Sequence, residues 1–97
     1  MEFAWDEAKR LSNLAKHGVD FAEVYGFDWQ TAVRWHDDRL DYGEVRYAAL
    51  GLIGARVYSV TFTLRGPVYR IINLRKANDR ETRRYEEEKD QGRSHEC

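Results

Sequence analysis

The sequence predicts an α+β sandwich: an N-terminal strand and two helices, then an antiparallel β-meander and a C-terminal helix. Three observations carry this reading. Val45–Ile53, Arg56–Leu64 and Pro67–Leu74 keep a period of two, broken by the hairpin-length connections Gly54-Ala55 and Arg65-Gly66. Residues Glu7 to His17 repeat at about 100° per residue and stop at Gly18. A charged, helix-forming stretch follows Asn78. The expected arrangement places the helices on one face of a twisted sheet.

Met1–Trp5 alternates as a short strand, and Asp6 stands as an N-cap ahead of the helix formers Glu7–His17. Ala8, Leu11, Leu14 and Ala15 share one helix face, expected in the core, while Lys9, Asn13 and Lys16 share another. His17 lies in the last turn, where the helix dipole and free carbonyls suit a C-capping imidazole. Asp20 and Glu23 form a capping-box pattern for a second helical segment, Phe21–Tyr25. Phe27–Trp29 is a connection, and Ala32–His36 a short strand with Val33 and Trp35 on one face. The polar turn His36–Arg39 projects its side chains in opposing directions, so no metal site is expected there. Asp41–Glu44 continues the loop. In the middle strand of the meander Arg56, Tyr58, Val60, Phe62 and Leu64 share one face. Val57, Ser59, Thr61 and Thr63 share the other, the more polar and the one open to a ligand.

Tyr69–Leu74 ends the meander, Arg75 and Lys76 close it, and Ala77 and Asn78 turn the chain. Asp79 is placed to N-cap a helix from Arg80 to about Lys89. One domain over residues 1–90 and a polar, disordered tail over 91–97 are expected. A lone Cys97 makes no internal disulfide, and neither a leader nor a long apolar run is present, so a reduced, cytoplasmic protein without membrane association is expected. His95 and Cys97 supply too few ligands for a metal. No cofactor is expected: the chain has no P-loop, dinucleotide-binding glycines, paired catalytic carboxylates or zinc spacing.

From Arg65 to Arg84 seven basic residues stand against two acidic ones, a balance of +5 in a chain of formal net charge -1, so the remainder carries -6. A patch of this kind is either a solvated surface or an anion site. If the first and last helices pack on or beside the same sheet, Lys9, Lys16 and His17 approach Arg70, Arg75 and Lys76, a set of cations around an imidazole. Such a set suits a phosphodiester, because guanidinium and ammonium groups stabilise the charge that grows on phosphorus-bound oxygens. In RNA the 2′-OH supplies the nucleophile, leaving the protein to provide base, acid and charge stabilisation without metal. The alternative is a non-catalytic basic module that docks nucleic acid or an acidic partner.

Further residues carry a resemblance. Phe3-Ala-Trp-Asp-Glu-Ala-Lys9, Asn13 and Lys16-His-Gly-Val-Asp-Phe21 are followed by Asp38-Arg39, Tyr42-Gly-Glu44, Arg46 and Ala49-Leu-Gly51. Arg70-Ile-Ile, Arg75-Lys-Ala77 and Arg83-Arg-Tyr-Glu86 close the pattern. Together, over residues 2 to 87, these resemble the BrnT family of bacterial type II toxin–antitoxin toxins. The resemblance implies a RelE-like fold and an endoribonuclease that cuts RNA and slows translation and growth. It also implies a ribbon-helix-helix antitoxin whose complex with the toxin binds operator DNA. Carried over by motif, the expected catalytic positions are Lys9, His17, Arg70, Arg75 and Lys76, with Asn13, Lys16, Arg65, Arg80 and Tyr85 expected to bind RNA. Asn73 and Leu74 stand where relatives have Ser and Ala.

Overall fold

Asp6 starts the first helix as expected, its Oδ1 accepting from the backbone N–H groups of Ala8 at 2.8 Å and Lys9 at 3.2 Å. A computed structural model describes the backbone of residues 1–96 except 39, 40 and 42, with side chains up to Lys89 among them. Arg39 of the expected polar turn, the motif residue Tyr42, Cys97 and the side chain of His95 lie outside the described residues and side chains. The elements are β1 Glu2–Trp5, α1 Glu7–His17, a 3-10 helix Phe21–Gly26, β2 Val33–His36, β3 Tyr47–Ile53, β4 Arg56–Arg65, β5 Val68–Lys76 and α2 Asp79–Glu96. Gly18, at φ 70°, ends α1 by donating to Leu14 O at 2.8 Å, and Asp20 and Glu23 form the expected capping box. At α2 the cap is Asn78 rather than Asp79: Glu81 N donates to Asn78 Oδ1 at 2.8 Å, and Asn78 N to Glu81 Oε1 at 3.0 Å. The helix continues past Lys89 to Glu96, with no proline to stop it.

One five-stranded sheet in the order β1-β5-β4-β3-β2 holds these elements together. The meander β3-β4-β5 is antiparallel, with Gly54 and Gly66 in the left-handed region at the first position of each two-residue turn. Arg65 pairs with Val68, so the second turn is Gly66-Pro67 rather than Arg65-Gly66. β1 pairs in parallel with the start of β5, Phe3 opposite Tyr69 and Trp5 opposite Ile71.

Helices flank the sheet on both faces, not one. Tyr58, Val60, Phe62, Ile71 and Leu74 pack on one face against Val19, Phe21, Val24 and Phe27 from the segment after α1. On the other, Leu50 and Val57 pack against Ala77 and Tyr85, with Val33 and Trp35 beside them. Val33, Leu50 and Val57 make a second apolar patch, which needs its own cover. α2 covers only this end and leaves the polar middle of that face open.

The amphipathicity of α1 is the reverse of that expected. Leu11 is 53% and Leu14 38% exposed, Ala8 and Ala15 are exposed, and the buried residue is Asn13. The reason is topological. β1 pairs with β5 only as far as Ile71, so beyond it β5 has a free edge of backbone polar groups. There α1 binds through polar atoms and does not cover an apolar face.

Ile72 interrupts the β4-β5 ladder: Thr61 pairs with Asn73 and Phe62 with Ile71, leaving Ile72 without a partner as a β-bulge. Strict alternation would put Arg70 and Arg75 on opposite faces. The bulge resets the phase, so Arg70, Asn73 and Arg75 share the open face with their partners Thr63, Thr61 and Ser59.

Candidate active site

Asn13 positions the site. Its Nδ2 donates to Leu74 O at 2.7 Å and Val19 O at 2.9 Å, and its Oδ1 accepts from Leu74 N at 3.3 Å. With α1 fixed along the edge of β5, Lys9, Ser12, Lys16 and His17 meet Arg46 and Asn73 around a cavity of about 250 Å³. Three cations and an imidazole therefore share this cavity.

His17 is half-buried. Burial, then the charges of Lys16 and Arg75, hold its imidazole below the ordinary range. The Asn13–Leu74 hydrogen bonds set the end of α1 beside the end of β5, so the charge of Arg75 reaches His17. Arg75 itself donates from Nη1 and Nη2 to Glu81 Oε1 and Oε2 at 2.8 and 2.9 Å, a fork that fixes its guanidinium at the start of α2.

The registers join this cavity to a second one. Trp35 lies opposite Ala48, Ala48 opposite Thr61 and Thr61 opposite Asn73, a row across four strands spanning roughly 14 Å at ordinary strand spacing. At its far end a cavity of about 230 Å³ is lined by Trp35, Ser59, Thr61, Arg75, Glu81 and Arg84 among others. The open face thus carries a transverse groove, cationic beside α1 and mixed polar beneath α2.

Lys9, Lys16 and His17 line the first cavity together, while Arg75 lines the second, its charge still reaching His17. Arg70 shares their face but lies farther along β5, opposite Thr63. Lys76 points away from them: it pairs with Tyr58, on the face that packs against the 3-10 helix, and is exposed. Arg65 ends β4, roughly 20 Å along the strand from Ser59. Arg80 is exposed on the first turn of α2. Tyr85 is 1% exposed, part of the core under α2, with its hydroxyl 3.2 Å from Thr31 Oγ1, so it offers no ring for a base to stack on. Asn13 is a structural clamp at the cavity wall. Arg46, Trp35 and Arg84 line the groove without having been singled out as site residues by sequence, although Arg46 and Arg84 belong to the motif and Arg84 to the basic stretch.

Among the described residues no three His, Cys, Asp or Glu side chains gather as a metal cluster. An open sheet face with a cationic groove and a half-buried imidazole makes this an α+β protein equipped to hold a polyanion beside a proton-transfer group. A family model for ribonuclease toxins, BrnT, of type II toxin–antitoxin systems matches residues 5–81. The chain belongs to that family of ribonuclease toxins. Membership implies RNA as substrate and an antitoxin as partner. A search of curated proteins found no match.

Proposed function

We propose that the protein is an endoribonuclease that cleaves RNA without a metal ion, inhibiting translation and growth. The observation that carries this reading is the convergence of His17, Lys16 and Arg75. An imidazole held below its ordinary range is neutral near pH 7 and accepts a proton from the ribose 2′-OH. The 2′-oxygen then bonds to phosphorus as the bond to the 5′-oxygen breaks, leaving a 2′,3′-cyclic phosphate and a 5′-hydroxyl. Lys9, Lys16 and Arg75 stabilise the added charge on the phosphoryl oxygens, and a lysine ammonium of the cleft protonates the leaving oxygen. The nucleophile comes with the substrate and the positive charge with the protein, so the reaction has no step that calls for a metal.

Family membership and the sheet with its flanking helices support a RelE-like layout, and the resemblance supports a ribbon-helix-helix antitoxin forming an operator-binding complex. Among the described residues no helix is long and apolar enough to cross a membrane. Incubation of the purified protein with end-labelled RNA in EDTA tests the reading. Cyclic-phosphate ends that disappear with His17→Ala support it. Intact RNA retained with a steep salt dependence, on ribosomes as well as free, replaces it with the basic docking module.

A further inference from the structure

Three hydroxyl side chains of β4 point to the open face, and they differ. Thr63 Oγ1 donates to Val45 O at 2.7 Å, whereas Ser59 and Thr61 make no side-chain hydrogen bond among the described residues. Ser59 is only 7% exposed, and both residues line the cavity beneath α2. Thr61 is half-buried and neither hydroxyl is sealed from solvent, so the two offer unused donors and acceptors on one cavity wall to a ligand with polar edges.

The opposite wall offers a flat surface. Arg84 Cζ lies 4.0 Å from the centroid of the Trp35 ring, and Arg84 Nε donates to Glu88 at 2.6 Å. Held by the Trp35 ring on one face and by Glu88 at its Nε edge, the guanidinium is a planar platform of the kind on which nucleobases stack. Between platform and hydroxyls the floor is Ala48, whose small side chain leaves depth for a ring. The cavity also adjoins the cationic one, because Thr61 in the first lies directly opposite Asn73 in the second.

We propose that this cavity is a base-recognition subsite: it takes the nucleobase of the nucleotide whose phosphate lies among Lys9, Lys16 and His17. The base stacks on Arg84 and places its hydrogen-bonding edge on Ser59 and Thr61. Hydroxyls both donate and accept, so selectivity between bases comes mainly from stacking area, which favours purines. The inference rests on the ribonuclease reading and adds a preference to it.

The test is a two-dimensional NMR titration of the full chain with inorganic phosphate and with each nucleoside 3′-monophosphate. Phosphate is expected to shift Lys9, Lys16, His17 and Asn73 signals alone. The nucleotides are expected also to shift the Trp35 indole and Arg84 Nε signals, with purines bound about fivefold or more tightly than pyrimidines. Ser59→Ala with Thr61→Val, checked for folding by circular dichroism, is expected to reduce that ratio. Nucleotides that shift only the phosphate set overturn the subsite, as does a purine preference unchanged in a folded double variant. If the double variant fails to fold, the wild-type titration decides alone. The readout needs no cleavage, so the two proposals fail separately. A protein that binds bases at Trp35 and cuts nothing overturns the cleavage mechanism, and one that cuts RNA without shifting Trp35 overturns the subsite.

Discussion

The carboxamide of Asn13 gives Leu74 both hydrogen bonds that a neighbouring strand would give, donating to its carbonyl and accepting from its N–H. One side chain therefore replaces a strand at the edge of β5 and sets the position of α1. Asn13→Ala leaves a buried N–H and C=O unpaired, with a third carbonyl at Val19 weakened. It is expected to destabilise the protein by about 2–4 kcal/mol. Urea denaturation measures this, and Asn13→Leu, which restores volume but no polar partner, is expected to be no better.

His17 titrates below the ordinary imidazole range because of burial, Lys16 and Arg75. Between its folded and its unfolded pKa the unfolded chain binds more protons, so stability falls as pH drops from about 6.5 through the folded value and then levels off. Denaturation midpoints from pH 7.5 to 4.5 in wild type and His17→Asn show whether this slope belongs to His17. Lys16→Gln is expected to raise the His17 pKa, read directly from its ring proton shifts.

Arg75 and Lys76 are neighbours in sequence on opposite faces of β5. Arg75→Ala is expected to lower RNA cleavage by about 10²-fold, the scale seen when one charge-stabilising donor is removed. Loss of its partly exposed pair with Glu81 is expected to cost no more than about 1 kcal/mol. Lys76→Ala is expected to keep cleavage within about twofold, since its charge lies outside the groove. Labelled-RNA assays on the two folded variants, side by side, check both.

Tyr85 is expected to matter for stability and not for RNA. Tyr85→Ala removes a ring from the core under α2 and is expected to cost about 3–5 kcal/mol. Tyr85→Phe loses only the contact to Thr31, about 1 kcal/mol, and is expected to retain RNA affinity. Binding isotherms for the Phe variant test this.

Gly51 faces the ring of Phe27. A Cβ at Gly51 would sit 2.6 Å from Phe27 Cζ and 2.9 Å from Cε1, inside van der Waals contact with a buried ring. Gly51→Ala is expected to destabilise by about 1–3 kcal/mol through overpacking, and the paired Gly51→Ala/Phe27→Leu to recover part of it. Thermal melts of the two variants provide the comparison.

Local rules account for what could be read in the sequence. Alternation gave the meander, the capping residues Asp6 and Asp20 gave the helix starts, and Gly18 gave a helix end. The polar face of β4, with Ser59 and Thr61, was visible as the face open to a ligand. Long-range pairing was not visible. Nothing in Leu11 and Leu14 shows that α1 rests on a strand edge, because that depends on where β1 stops pairing with β5. The grouping of Arg70 with Arg75 depended on the bulge at Ile72, which carries no sequence mark of its own. Tyr85 lies among charged residues, yet its burial is set by the apolar patch of Val33, Leu50 and Val57 on distant strands. The groove's Trp35, Arg46 and Arg84 come together only when four strands and α2 are assembled.

The parallel pairing of β1 with β5 also has a consequence in time. Glu2 meets Val68, and Asn13 meets Leu74 across 61 positions, so α1 and the first strand have no docking edge until most of the chain has been translated. Helical and meander contacts can form as the nascent chain emerges, but His17 and Arg75 come together last. A truncated product ending before β5 has half the basic residues and no groove, which makes late closure of the sheet a built-in delay between synthesis and a formed site.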